Sequence, residues 1–152
     1  MAELTQFGIT DALANPRLEL HNGIGALIAS NDDWQTTTLG GIISSSQVSD
    51  IQNSGHAPTA ASESAIIADL QTGKYTAIVR GVNNTVGVAL VEVYDLSPGA
   101  SSSLGNISTR SFVETGEHVM IGGFIVQGTG PKRVIIRAIG PELTQYMGSP
   151  TR

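Results

Sequence analysis

Lys74-Tyr75-Thr76-Ala77-Ile78-Val79-Arg80-Gly81-Val82 decides the fold class together with Val86-Gly87-Val88-Ala89-Leu90-Val91-Glu92-Val93-Tyr94-Asp95-Leu96, which follows the turn Asn83-Asn84-Thr85. Both runs are rich in β-branched and aromatic residues, and both keep the period of two that a strand imposes on its faces. In the first, Tyr75, Ala77 and Val79 alternate with Thr76, Ile78 and Arg80. In the second, Val86, Val88 and Leu90 oppose Ala89, Val91 and Val93, so much of that strand is expected to be buried on both sides.

Working outward, Ala65 to Leu70 is a further apolar run, and Gln71-Thr72-Gly73 between it and Lys74 reads as a hairpin turn. Another hairpin is expected where Arg17 to His21 and Ala26 to Ser30 flank Asn22-Gly23-Ile24-Gly25, because Asn-Gly accepts the positive φ that tight hairpin turns need. Thr10 to Pro16 reads as one helical turn, capped by Thr10 and stopped by the proline. A second short helix is expected from Ser46 to Ser54, with Ser44 to Ser46 as caps and Gly55 at its C-terminal end. Asn31 to Gly41 reads as loop.

Downstream, residues 97–105 are Ser- and Gly-rich and have the composition of a flexible connector. Residues 106–152 then carry three strand candidates, Ile107 to Val113, His118 to Gln127 and Arg133 to Ile139. The middle one has Val119, Ile121 and Ile125 opposite Met120, Phe124 and Val126. Such a strand is expected to be covered on both faces, by its own domain or by a neighbour, with Gly122-Gly123 marking a bulge or a close backbone approach. Gly128-Thr129-Gly130-Pro131 lacks the spacing of a phosphate-binding loop and reads as a hairpin turn. At least seven short strands with turns between them and little helix predict an all-β chain: an antiparallel β-sandwich, jelly-roll-like, with one or two short helices, or alternatively a partly closed barrel. At 152 residues it is expected to be a single domain.

Charged residues make up only 14% of the chain and the net charge is -5. The eight Lys and Arg never form a basic run, so neither a nucleic-acid backbone nor an anionic membrane is an expected partner. No apolar run approaches transmembrane length, and no signal sequence opens the chain, which places any leader outside this piece. Without cysteine there is no disulfide, thiol chemistry or Cys-type zinc site. His21, His56 and His118 are too widely spaced for a zinc motif, and no serine sits in a Gly-x-Ser-x-Gly elbow, so no catalytic or metal-ligating residue is assigned. The densest candidate site is Asn31-Asp32-Asp33-Trp34. Its side-chain oxygens suit calcium and its indole suits stacking on a sugar, as in a surface glycan, although the full calcium-loop pattern is missing. The competing reading is a polar turn with Trp34 plugging the sandwich. Arg133 and Arg137 alternate with Ile135 and Ile139, as either a carboxylate-binding stripe or a solvated face.

Glu3-Leu4-Thr5-Gln6-Phe7-Gly8 is nearly repeated by Glu142-Leu143-Thr144-Gln145-Tyr146-Met147-Gly148, as in one period of a tandem array or a subunit joining its neighbours head to tail. Several blocks add to this pattern: Asn106-Ile107-Ser108-Thr109-Arg110, Gly122 to Gly128, Val134 to Pro141, Ala29 to Trp34, and Gly73 to Gly81 with Val88 to Asp95. Together they resemble a tandem repeat of large, secreted, multidomain bacterial proteins, here in rotated order. Gly73 to Asp95 is also similar to prepeptidase-type β-sandwiches. The resemblance implies a secreted or cell-surface, non-enzymatic structural or adhesive module that partners adjacent repeats or copies of itself, by strand donation where residues 106–152 complete a neighbour. The residues expected at such a joint are Val119, Ile121, Phe124, Ile125, Val126, Glu142 and Leu143. A carbohydrate- or calcium-binding accessory module is the alternative.

Overall fold

The computed structural model describes residues 11–97, 102–103, 107–116, 118–141 and 143. Among the described residues, nine strands form two antiparallel sheets: β1 Pro16–His21, β2 Leu27–Asn31, β3 Ser64–Leu70, β4 Gly73–Gly81, β5 Gly87–Asp95, β6 Ser102–Ser103, β7 Ile107–Val113, β8 Met120–Gly128 and β9 Lys132–Ile139. The first sheet has the order β2-β1-β4-β8-β6 and the second β3-β9-β5-β7. The chain is therefore an all-β sandwich, and its described residues include a short helix, α1 Val48–Asn53.

The first hairpin forms as expected. Asn22 Oδ1 accepts hydrogen bonds from the Ile24 and Ala26 N–H groups, and Leu18 to His21 pair with Leu27 to Asn31. The other two expected hairpins do not form. β3 pairs with β9, and β4 pairs with β1 and β8, so Gln71-Thr72 carries the chain from one sheet to the other. Gly128 to Pro131 does the same between β8 and β9. Apart from the β1–β2 turn, every connection between successive strands changes sheet. The physical reason is burial: crossing places Ile66, Ala68 and Leu70 in one core with Ala77 and Val79, whereas a hairpin would set them side by side. Residues 11–15 are not helical either. Leu13 N–H donates to Val88 O and Val88 N–H to Asp11 O, drawing this segment into an extended bridge beside β5.

The core between the sheets contains Leu18, Leu20, Val79, Val91, Val93, Phe124, Val126, Val134 and Ile136. Gly122 faces it without a bulge, and a Cβ there would lie 3.3 Å from Val91, which explains the glycine as a close approach. A second core covers the outer face of sheet two. There α1 and the preceding loop bring Trp34 and Ile51 onto Ala65, Ile67 and Ile135. This double cover accounts for the near-continuous burial of β3 and β9. A third cluster joins Leu143 and Ile139 with Ala12, Val88 and Leu90. Gly140 makes that junction possible, since a Cβ on it would lie 1.9 Å from Leu13 O.

The last third of the chain supplies β7, β8 and β9 to these sheets, with β9 between β3 and β5. Within the Ser-rich segment, Ser102 and Ser103 pair with Gly128 and Gln127. The remainder of that segment beyond Ser97 lies outside the described residues.

Candidate functional site

The Asn31 to Trp34 segment works as a bracket in this structure. Asn31 is buried; its Nδ2 donates to the Asp33 and Thr36 carbonyls, while its Oδ1 accepts from Ala65 N–H on β3. Trp34 N–H donates to Glu63 O, and the indole is only 5% exposed in the second core. Its ring therefore offers no face for a sugar to stack on. Asp32 and Asp33 stay half-buried, and no cation pairs with either among the described residues. Burial, followed by repulsion from Asp32, raises the Asp33 carboxyl above the ordinary aspartate range. Among the described residues no group of three or more His, Asp or Glu side chains gathers.

Two buried carboxylates were not singled out from sequence. Glu63 lies fully buried, its Oε1 accepting from Ala60 N–H and its Oε2 from Gly140 N–H, which ties the end of β9 to the loop before β3. Glu92 pairs with Arg137 at 2.6 Å and accepts from the Tyr94 hydroxyl. His56 stacks on Tyr94 with ring centroids 4.1 Å apart, and Arg137 lies 5.5 Å from the same ring while donating to His56 O. Burial, with the Glu92 hydrogen bond next, raises the Tyr94 hydroxyl above its usual range. Arg133 reaches Asp69 and Asp50. The arginine stripe thus binds carboxylates of its own chain. A glutamate inside an apolar strand, with arginines on another, was the available signal for Glu92; Glu63 had no local one.

The two lateral sides of the sandwich differ. On one side, β2 lies beside β3, and the chain's own groups occupy both edges. Ile42 N–H donates to Ile28 O on β2, and Gly41 sits so close that a Cβ would lie 2.1 Å from that oxygen. On β3, Ala65 N–H is taken by Asn31; Ile67 N–H donates to Gln47 Oε1, and Gln47 Nε2 donates back to Ile67 O. Such caps occupy edge groups at Ile28, Ala65 and Ile67 that another chain would otherwise pair with.

On the other side, β8 lies beside β7. Among the described residues no strand pairs with the outer edge of β7, and only β6 touches that of β8, at Gln127 and Gly128. Thr109 and Ser111 are exposed although they pair with Val91 and Ala89, whose side chains are in the core. The residues expected at a joint divide between the faces. Phe124, Val126 and Leu143 are buried within this chain, Val119 is half-buried, Ile121 is 61% exposed and Ile125 49% exposed. The expectation that β8 is covered on both faces is thus met on the core side alone. Glu142 and the N-terminal Glu3 to Gly8 lie outside the described residues.

The outer face around Ile121 and Ile125 includes Ile78 and a charged cluster on β1 and β4. Glu19 meets His21 Nε2 at 3.2 Å, Arg80 at 3.2 Å and Arg17 at 3.5 Å. Burial acts to raise its carboxyl pKa, but the His21 hydrogen bond and the charges of Arg80 and Arg17 outweigh it, and the net shift is downward. A folded pKa below the unfolded one stabilises the fold above the ordinary glutamate value of about 4.3 and loses that contribution as pH falls through the folded pKa. Thermal melts from neutral to acid pH should therefore show a shallower acid decline for Glu19→Gln than for the parent chain; parallel declines would contradict this.

The sites gathered here are a polar bracket, two buried carboxylate braces and one open lateral side. No family model matches the chain, and neither the curated proteins nor the solved structures include a match to it.

Proposed function

We propose that this chain is a non-enzymatic structural module of a secreted or cell-surface protein, whose work is to make β-edge contacts with copies of itself or with adjacent repeats. The observation that carries this reading is the lateral asymmetry: β2 and β3 carry caps from their own loop, whereas among the described residues no strand pairs with the outer edge of β7 or with the Met120–Val126 part of β8. Soluble proteins normally blunt an edge with lysine, proline or a bulge. β8 has none of these between Met120 and Val126, and it carries two exposed isoleucines instead. The near-repeat of Glu-Leu-Thr-Gln at the two ends supports a place in an array.

The test is light scattering over a concentration series, comparing the parent chain with an Ile121→Lys/Ile125→Lys variant. The parent is expected to gain mass with concentration. The variant, altered only at exposed positions, is expected to melt like the parent yet remain monomeric. A parent chain that stays monomeric throughout would remove the basis of the proposal.

A further inference from the structure

We infer that Asn22 is a self-modifying site: its side-chain amide is lost as ammonia through ring closure onto the Gly23 nitrogen, leaving aspartate or isoaspartate at the tip of the first hairpin. Asn22-Gly23 is the only Asn-Gly pair in the sequence. The electrophile is the Asn22 side-chain carbonyl, whose Oδ1 accepts from Ile24 N–H at 3.2 Å and from Ala26 N–H at 3.0 Å. Donors on a carbonyl oxygen stabilise the negative charge that builds there when its carbon is attacked. The same bonds fold the side chain back over the peptide that follows it, as in an Asx turn, so the reacting groups are held together.

The nucleophile is the Gly23 nitrogen. The left-handed residue of this turn is Gly25, with φ 88°, and Gly23 is not in that region. The backbone therefore does not need a glycine at 23; what the residue supplies is an amide with no side chain to hinder ring closure. Gly23 to Leu27 are exposed, so water and base reach the site. Other asparagines are placed less well. Asn15 precedes Pro16, which has no N–H. Asn31 is buried with both ends of its amide engaged, and the N–H groups that follow Asn53 and Asn84 donate to Ile51 O and Val82 O.

The step balances as follows. The Gly23 N–H gives its proton to base, the nitrogen bonds to Asn22 Cγ, the Cγ–Nδ2 bond breaks and ammonia leaves. Water then opens the cyclic imide at either carbonyl, so the net change is water in and ammonia out. Opening at the main-chain carbon routes the backbone through the former side chain and lengthens it by one bond. Gly23 packs against β4, where a Cβ on it would lie 3.4 Å from Lys74 O. A longer turn has to shift against β4 or loosen the β1–β2 register at His21. Opening at the side-chain carbon leaves aspartate, whose carboxylate keeps accepting from Ile24 and Ala26 with stronger, charge-assisted bonds. Either product adds one negative charge to a chain whose net charge is already -5.

The test incubates the whole folded chain at mildly alkaline pH beside the same chain in urea, following both by intact mass and fragmentation. The expected result is a gain of about 1 Da, the exchange of an amide nitrogen for a carboxyl oxygen. It should map to residue 22 before any other asparagine and appear at least as fast in the folded chain as in urea. Gly23→Ala, whose added Cβ makes only an ordinary contact with Lys74 O, is expected to fold and to react about tenfold more slowly. Slower reaction in the folded chain than in urea would show that the turn holds the amide away from Gly23, and would overturn the inference. First conversion at another asparagine, or an unchanged rate in Gly23→Ala, would overturn it as well. The readout is a covalent mass change, so its failure leaves the assembly reading untouched.

Discussion

A chain ending at Gly105 is expected to lose cooperative folding altogether. The deleted part includes β9, which hydrogen-bonds to β3 on one side and β5 on the other. It buries Val134, Ile135, Ile136 and Ile139 almost completely. At about 1.5–3 kcal/mol for each fully buried side chain, these four contribute roughly 6–12 kcal/mol, comparable with the ~5–15 kcal/mol that holds a whole domain folded. Loss of β8 removes Phe124, Val126 and Met120 from the other half of the core. Loss of β9 also leaves β3 and β5 with bare inner edges in place of ladder partners, and exposed apolar edges of this kind aggregate. Denaturant titration of residues 1–105 should give no sigmoidal transition, and most of the fragment should partition into the pellet. A soluble fragment with a sharp unfolding transition would show that the body does not need β9. In the intact chain the same strands can in principle be exchanged between copies, since a swapped element makes the same contacts in either chain.

How much of this was legible beforehand follows from what each signal encodes. Alternation in Lys74 to Val82 and Val86 to Leu96 reports which side chains share a face, and the strands, their faces and the sandwich class all follow from it. Alternation does not report which strand lies alongside which. Gln71-Thr72-Gly73 and Gly128 to Pro131 have turn chemistry that serves a hairpin and a sheet-to-sheet crossing equally, and only the burial of β3 against β4 across the core selects the crossing. Asn22-Gly23 was readable because its hydrogen bonds are local: Asn22 accepts from residues two and four positions on. The caps on β3 were not readable, since Gln47 reaches Ile67 across 20 positions and Asn31 reaches Ala65 across 34. The same holds for Glu63, whose partner Gly140 is 77 positions away. Asn31 to Trp34 stood out as a candidate calcium- or sugar-binding cluster, but a polar cluster around a tryptophan looks alike in sequence whether it faces solvent or closes a core.

Trp34→Ala is the point substitution expected to cost most, about 3–5 kcal/mol, the range for truncating a buried tryptophan. The indole holds the second core together: Ile51 from α1 and Ala65, Ile67 and Ile135 from the sheet pack in its cluster. Its loss would undercut both the helix, only six residues long, and the loop whose Asn31 and Gln47 cap β3. A helix that short has little stability apart from its packing, so the damage should spread to the lateral side that is now capped. The variant is therefore expected to show a lower melting midpoint together with faster amide exchange at Ala65 and Ile67. Trp34→Phe separates the ring from its N–H. Trp34 Nε1 is buried without a hydrogen-bond partner, so replacing the indole with phenyl keeps most of the packing and removes a donor whose burial itself costs about 1–3 kcal/mol. Trp34→Phe should accordingly stay within about 1.5 kcal/mol of the parent, because removing the unpaired donor offsets part of the cavity that the smaller ring leaves. A Trp34→Ala variant with an unchanged melting midpoint, or parent-chain emission that shifts when glycans or calcium are added, would restore Trp34 as a binding residue. Unchanged emission together with a large drop in the midpoint makes it the wedge that holds the second core and, through it, the caps on β3.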